Sequence, residues 1–386
     1  MMTPAGRGRC TFAVALAPAM VPAIAGAAEW SVQSAAQIYA QAESNPQLLA
    51  DQRAAQSGVV DATLDVLRRT ELLTLDLNAH ASSHRYNNDA GLDRDDQQVA
   101  LALSRMGETY TLQGNGSITR DTTATSELGT TGLTGFNLRH RARSLSLAPQ
   151  WQLSERLTTG ATLGWQDSTY AKDEATGLSD YSYLLAGLNS SYDLSETTSG
   201  TLSISAGRLN SALYTFYTDN LDVQLQLQHV WSPRWKGSIA AGPSRVRTDG
   251  RVSSGSLFST SLTYQAERLS LDTSISRSIA PTGDGLQSRR DELEVHGYAT
   301  LSEHLTANAR VALIRSKDLV PSFGFTVSDV RYTRAELSLS WAFARDWNFG
   351  VTTGHSEQKS LGSSDLVGRG LDARMTLSWR HLGPLG

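Results

Sequence analysis

Histidines with serines and carboxylates close by are the residues of this sequence best suited to catalysis. His80, His84, His140, His296 and His355 could each act as a general base, with a Ser as nucleophile and an Asp to orient the ring. No nucleophile elbow and no HExxH pair accompanies them. Hydrolysis therefore stays an alternative, and no catalytic residue, cofactor or metal ligand is assigned. Gly114-Asn115-Gly116 comes nearest to a phosphate loop, but no helix pattern follows to receive a phosphate.

A second group of polar residues is suited to holding water and solute. Asp222, Gln224, Gln226 and Gln228 recur at every second position, as do Glu292, Glu294 and His296, then Glu336 with Arg334, and Asp372 with Arg374; Arg310 joins them. A period of two places each set on one face of an extended strand. The intervening positions carry Leu221, Val223, Leu225 and Leu227, or Leu293 and Val295, or Leu337, Leu371, Ala373 and Met375. One face is aliphatic and the other can sit in water. On a membrane barrel these rows are candidate lumen-lining residues, able to hydrate and select solute; they could equally pair across neighbouring strands and keep the interior wet.

Those rows need strands to carry them, and the alternation runs through most of the chain. Leu145, Leu147, Pro149 and Trp151 alternate with polar or small residues, Leu153 to Arg156 turn the chain, and Leu157, Thr159, Ala161, Leu163 and Trp165 alternate again. Similar rows begin at Leu73, Val99, Leu184, Leu202, Trp235, Phe258, Leu269, Leu305, Ala335, Trp347 and Leu371. Short turns fall near residues 69, 107, 154, 195, 233, 266, 303 and 345. Longer polar loops are expected between them, at 87–93, 121–137, 172–178, 210–217, 248–255, 281–285, 318–328 and 360–365. Short turns at one rim and long loops at the other predict a transmembrane antiparallel up-and-down β-barrel of about 18 strands, 16 being possible, with the short turns in the periplasm.

Trp151, Tyr192, Trp231, Trp235, Tyr264, Trp341, Trp347 and Trp379 stand beside the short turns or the final strand end. Aromatic rings with one polar edge collect at the headgroup level, so these eight form the expected girdle. The apolar rows carry no Asp, Glu, Lys or Arg. Lipid would exact about 2–4 kcal/mol for each such charge at mid-bilayer, so clean rows favour a membrane barrel over a soluble β-sandwich. A mean hydropathy of −0.29 does not argue otherwise, because alternation cancels in any average.

Residues 1–28 read as a secretory signal peptide: Arg7 and Arg9, then the apolar stretch Phe12 to Ala28, ending in small residues before Glu29. Cys10, the single cysteine of the 386 residues, lies within it. Without Arg7 and Arg9 the 34 basic residues fall to 32 against 38 acidic ones, which gives no sign of nucleic-acid binding. Residues 29–386 are expected to form the barrel. Within 29–69 the patterns conflict: Ser31 to Glu43 can be read as a strand, the first of the 18, and Val60 to Val66 alternate as another, whereas Ala35 to Gln41 and Leu48 to Gln56 are rich in residues that favour helix.

Residues Asp121 to Leu133, DTTATSELGTTGL, lie between Ser117-Ile118-Thr119-Arg120 and the basic Arg139-His140-Arg141-Ala142-Arg143. That loop, the repeated Leu-Ser-Glu turns and Asn45-Pro46 resemble a family of outer-membrane barrels associated with exosortase (PEP-CTERM) and exopolysaccharide gene clusters. The resemblance implies a Gram-negative outer-membrane location, with exopolysaccharide or export components as partners beside the lipid and the barrel-assembly machinery. It implies no activity. A porin-like pore or conduit for small or sugar-like solutes is the function expected, with a plugged barrel serving as a binding or assembly platform as the alternative.

Overall fold

The computed structural model describes residues 28–51, 53–87, 89–131, 137–171, 177–319, 329–360 and 366–385; apart from Ala28, the expected signal segment lies outside them. The chain forms strands β1 (Glu29–Glu43), β2 (Ala55–Arg69), β3 (Leu73–Tyr86), β4 (Arg94–Met106), β5 (Tyr110–Thr122), β6 (Arg139–Gln152), β7 (Leu157–Tyr170), β8 (Tyr181–Ser195) and β9 (Thr198–Ser211). It continues through β10 (Tyr217–Ser232), β11 (Trp235–Thr248), β12 (Arg251–Gln265), β13 (Leu269–Pro281), β14 (Gln287–Thr300), β15 (Leu305–Asp318), β16 (Asp329–Ala344), β17 (Trp347–Ser360) and β18 (Leu366–Leu385). Each strand pairs antiparallel with the next, and β1 pairs with both β2 and β18, so the 18-stranded sheet closes on itself. Closure gives every strand a neighbour on both sides, which is what a sheet needs in order to sit in lipid.

Register settles which residues share a face. Ile38 stands opposite Val60 and Leu377, and Leu225 opposite Leu202 and Ala241. The aliphatic rows therefore merge into one outward band, where Leu225 is 64% and Leu188 68% exposed. No Lys, Arg, Asp or Glu interrupts that middle band. Near the loop-bearing rim the outward row changes to charges, as in Arg208 with Asp219, Arg277 with Asp291, and Arg315 with Asp329. At the short-turn rim Trp235 meets Tyr264 at 4.6 Å, Trp347 stands opposite Trp379, Leu157 opposite Tyr192, and Tyr110 opposite Trp151. Trp231 and Trp341 also face outward there, 60% and 53% exposed. An apolar band edged by aromatics on a closed antiparallel barrel makes this an outer-membrane protein, with the short turns toward the periplasm.

One expectation needs correction, and the conflict within 29–69 is resolved. Residues 248–255 are not a long loop: β11 runs to Thr248, Asp249-Gly250 make a tight turn with both φ positive (47° and 75°), and β12 begins at Arg251. The Ser- and Gly-rich composition that suggested a loop belongs to a strand. For Ser31 to Glu43 the strand reading holds over the helical composition of Ala35 to Gln41, because pairing on both sides outweighs a propensity of a few tenths of a kcal/mol per residue. Residues 48–51 and 53–54 are irregular rather than helical. Proline leaves local marks: the β6–β7 ladder skips Pro149, and the β10–β11 ladder skips Pro243, each lacking a donor.

The buried side chains lie inside the barrel, toward the extracellular end. Tyr170, Tyr181 and Leu209 cluster with Leu178 and Tyr183, and Val59, Tyr86, Val246, Val330 and Tyr332 are also buried. All these strand residues lie on the inward face. The molecule's core thus occupies the outer half of the lumen, whereas Gln228 and Asp272 remain exposed toward the periplasmic half.

Candidate solute path through the barrel

The register places Asp222, Gln224, Gln226, Gln228, Glu292, Glu294, His296, Arg310, Arg334, Glu336, Asp372 and Arg374 on the inward face, each a position away from an outward aliphatic residue. Several neutralise one another. Arg310 binds Glu294 at 2.6 Å, Arg334 binds Glu336 at 2.6 Å and lies 3.9 Å from Asp372, and Arg290 binds Glu292 at 3.1 Å. His296 shares a 3.0 Å hydrogen bond with Asn308, and Asn220 donates to Asp222 at 2.8 Å. Asp272, Glu294, His296 and Arg310 line a recess of about 380 Å³ in the wall. Such a surface is wet, mixed in sign and free of bulky apolar groups.

Nearer the outside the lumen is crossed by the loop after β5. It makes one helical turn, α1 (Thr123–Ser126). Glu127 follows, only 2% exposed, accepting hydrogen bonds from the hydroxyls of Tyr170 (2.6 Å), Thr131 (2.7 Å) and Thr130. Gly129 reaches the opposite wall, where an added Cβ would lie 3.2 Å from Ile314 and 3.8 Å from Arg290. A carboxylate buried among three hydroxyls is well satisfied, and this anchor holds the segment across the barrel. Ala124, Thr125 and Leu128 then face Tyr39, Arg94, Arg334 and Arg374 across a cavity of about 220 Å³. Arg374 lies over the Tyr39 ring at 5.1 Å.

Two further segments narrow the same end. Residues 44–51 fold against β18, and a Cβ at Gly368 would run into the carbonyl of Leu48. Gly368→Val should therefore lift this segment from the wall, at about 1–3 kcal/mol of overpacking; faster proteolysis within 44–54 would show it, and unchanged cleavage would refute the contact. The segment between β13 and β14 docks beside Glu127, with the Gly283 carbonyl accepting from the Ser179 amide at 2.8 Å. Burial, reinforced by the Glu127 charge, pushes the Asp284 carboxyl above its ordinary range, against hydrogen bonds from Thr282 and Leu286. A raised carboxyl means that the docked segment holds a proton more tightly than a free one, so docking weakens as pH rises from the ordinary carboxylate value through the raised one. Acidification should slow amide exchange at Leu286, and Asp284→Asn, which keeps the accepting oxygen, should remove that dependence.

His140 accounts for the one constellation with catalytic geometry. Its Nδ1 lies 2.6 Å from Asp121 and its Nε2 2.6 Å from Ser168, on the adjacent strands β5, β6 and β7. Ser168 is 1% exposed and Tyr170 packs on the imidazole at 4.7 Å. With its hydroxyl sealed from any carbonyl, the trio ties three strands together beneath the crossing loop. Of the other histidines weighed, His80 pairs with Asp61 at 2.7 Å, His84 faces the 220 Å³ cavity, and His355 points outward. Among the described residues no cluster of three metal-ligating side chains occurs.

No family model matches the chain, and no curated protein matches it in sequence. Solved structures similar to it include Pseudomonas aeruginosa OpdQ, at 12% identity over 92% of this chain and 99% of that one, TM-score 0.46. The outer membrane protein OpdK from Pseudomonas aeruginosa has 10% identity over 92% and 99%, TM-score 0.46. The FrpB iron transporter from Neisseria meningitidis has 11% identity over 92% and 81%, TM-score 0.45.

Tyr39, Glu43, Arg94 and the Glu127 anchor were not among the residues the sequence nominated, and His84 was considered only as a general base, not as part of the lumen lining. For Arg94 and His84 a signal existed: they continue the inward parity of Gln98 and His80, beyond the point where the opposite row stops being aliphatic. Glu127 had none except its place in the distinctive loop.

Proposed function

We propose that this barrel is a porin-like conduit for small polar, sugar-like solutes across the outer membrane, serving exopolysaccharide export, with passage set at the crossing loop. What supports the reading is the cavity between that loop and the wall. His84 Nδ1 and Arg374 Nε are buried side-chain nitrogens that make no hydrogen bond within the chain, Arg94 Nε is held only by a 3.4 Å ion pair with Asp96, and all three residues line it. A solute rich in hydroxyls can donate to or accept from such nitrogens, and polar groups left unmet in a low-dielectric site are costly. On this reading the partners are outer-membrane lipid, the barrel-assembly machinery during insertion, and components of polysaccharide export.

Stepwise conductance in planar bilayers, together with swelling of proteoliposomes in mono- and disaccharides, tests the proposal. Arg94→Ala and Arg374→Ala should alter sugar flux severalfold while the barrel remains folded. A second reading, a plugged barrel that presents its loops as a platform, draws support from the buried inward face of the outer half. It expects no conductance steps alongside normal heat-dependent gel mobility.

A further inference from the structure

The barrel wall is incomplete at one seam. Every other neighbouring pair of strands is laddered through most of its length, but β12 and β13 pair only from Phe258–Arg277 to Gln265–Ser270. Above Phe258, residues 252–257 are held by β11 alone, and residues 278–281 by β14 alone. The facing strand edges carry backbone donors and acceptors with no ladder between them. A membrane barrel does not leave such groups in hydrocarbon, so the height of the gap decides its meaning.

That height is the outer headgroup level. On β11 the outward row reads Ile239, Ala241, Pro243 and then Arg245 and Arg247, and Pro243 stands opposite Ser256 while Arg245 stands opposite Ser254. The gap begins where aliphatic residues end. A slot of about 260 Å³ occupies it, lined on the lipid side by Ser254, Ser256, Arg277, Ile279 and Arg289 and on the lumen side by Ser244, Val246, Ser253 and Leu257. On the lumen side Ser244, Val246 and Leu257 are buried, whereas Ser254 and Ser256 on the lipid side are exposed, so the slot's accessible face is the one toward the leaflet.

Its charge is positive. Arg277 makes a bidentate pair with Asp291, and Arg289 reaches the same carboxylate only at 3.7 Å, leaving two guanidinium groups on one acid. The Nε of Arg289 is buried without a hydrogen-bond partner. Arginine, serine hydroxyls and amides outside the ladder together are the donor set that binds phosphate oxygens.

We infer that the β12–β13 seam is a binding slot for the anionic, phosphate-bearing head group of an outer-leaflet lipid, whose acyl chains stay against the band below. The head group completes the hydrogen bonding of the open strand edges and closes the wall. A phosphate joined to a lipid is favoured over free phosphate because the slot faces the leaflet directly above aliphatic surface.

The test places the full barrel in bilayers containing a photoreactive phosphatidic acid or, separately, a photoreactive phosphatidylcholine. Adducts of the anionic probe should concentrate severalfold on residues 252–257 and 277–281 relative to residues 313–317 at similar height, and phosphatidylcholine should show no such preference. Arg289→Gln, which leaves the Arg277–Asp291 pair intact, should abolish the concentration without changing gel mobility. Amides of residues 252–257 should exchange faster than those of 258–263 in zwitterionic lipid and slow when phosphatidic acid is added. Labelling spread evenly around the barrel, equal labelling by both lipids, uniform amide protection, or displacement of the lipid by inorganic phosphate would each overturn the assignment.

Discussion

Replacing residues 124–131 with a short Gly-Ser linker should raise single-channel conductance severalfold while the barrel keeps its heat-dependent gel mobility. The reason lies in where the segment sits. Glu127 is tied to Tyr170 on one side of the lumen and Gly129 packs on Ile314 at the other, so this one stretch spans the interior. A barrel of 18 strands is otherwise wide enough to hold an aqueous channel. The ladders that close the barrel do not depend on the loop, since β5 pairs with β6 from Tyr110–Trp151 to Thr122–Arg139. Glu127→Ala is the milder form: it strands three hydroxyl donors, at about 1–3 kcal/mol for a buried unsatisfied group, and should make the current noisy rather than simply larger. Conductance that stays the same after excision would mean that solute does not pass this segment at all.

Leu225→Arg should cost about 2–4 kcal/mol of stability in lipid, the penalty for a cation facing the bilayer midplane, whereas Gln226→Arg one residue on should be nearly neutral. Leu225 lies mid-strand in β10, 64% exposed between Leu202 and Ala241. Gln226 is on the inward face beside Thr201 and Ala240. The two variants share charge, strand and depth and differ only in face, so urea unfolding from phospholipid vesicles isolates the effect. Equal losses, or a larger loss at Gln226, would place lipid on the wrong side of the sheet.

Much of this architecture was legible because a strand exposes its environment at every second residue. Leu221 to Gln228 announce both faces without reference to any other strand. Turns such as Ser154-Glu155 and Ser302-Glu303 were readable because a short polar break between two alternating rows leaves no other connection. Where the chain was misread or left open, local composition and long-range pairing disagreed. Ser253-Ser254-Gly255-Ser256 has the make-up of a loop and is held extended by β11. Ala35 to Gln41 has the make-up of a helix and is held extended by β2 and β18. Pairing energy comes from partners far along the chain, which no local window contains.

What the sequence by itself determined is the alternation, and with it the membrane-facing band, the aromatic rim, the polar interior and a strand number of about 18, because each follows from neighbours one or two residues apart. Tertiary structure alone decided that Glu127 sits beneath Tyr170, that Gly129 crosses to Ile314, that His84, Arg94 and Arg374 surround one cavity, and that the wall parts above Phe258 and Arg277. Those contacts join residues separated by tens to hundreds of positions: the closing of β18 onto β1 brings Arg374 beside His84 and Arg94, and the folding of the loop after β5 into the lumen brings Glu127 and Gly129 to their partners.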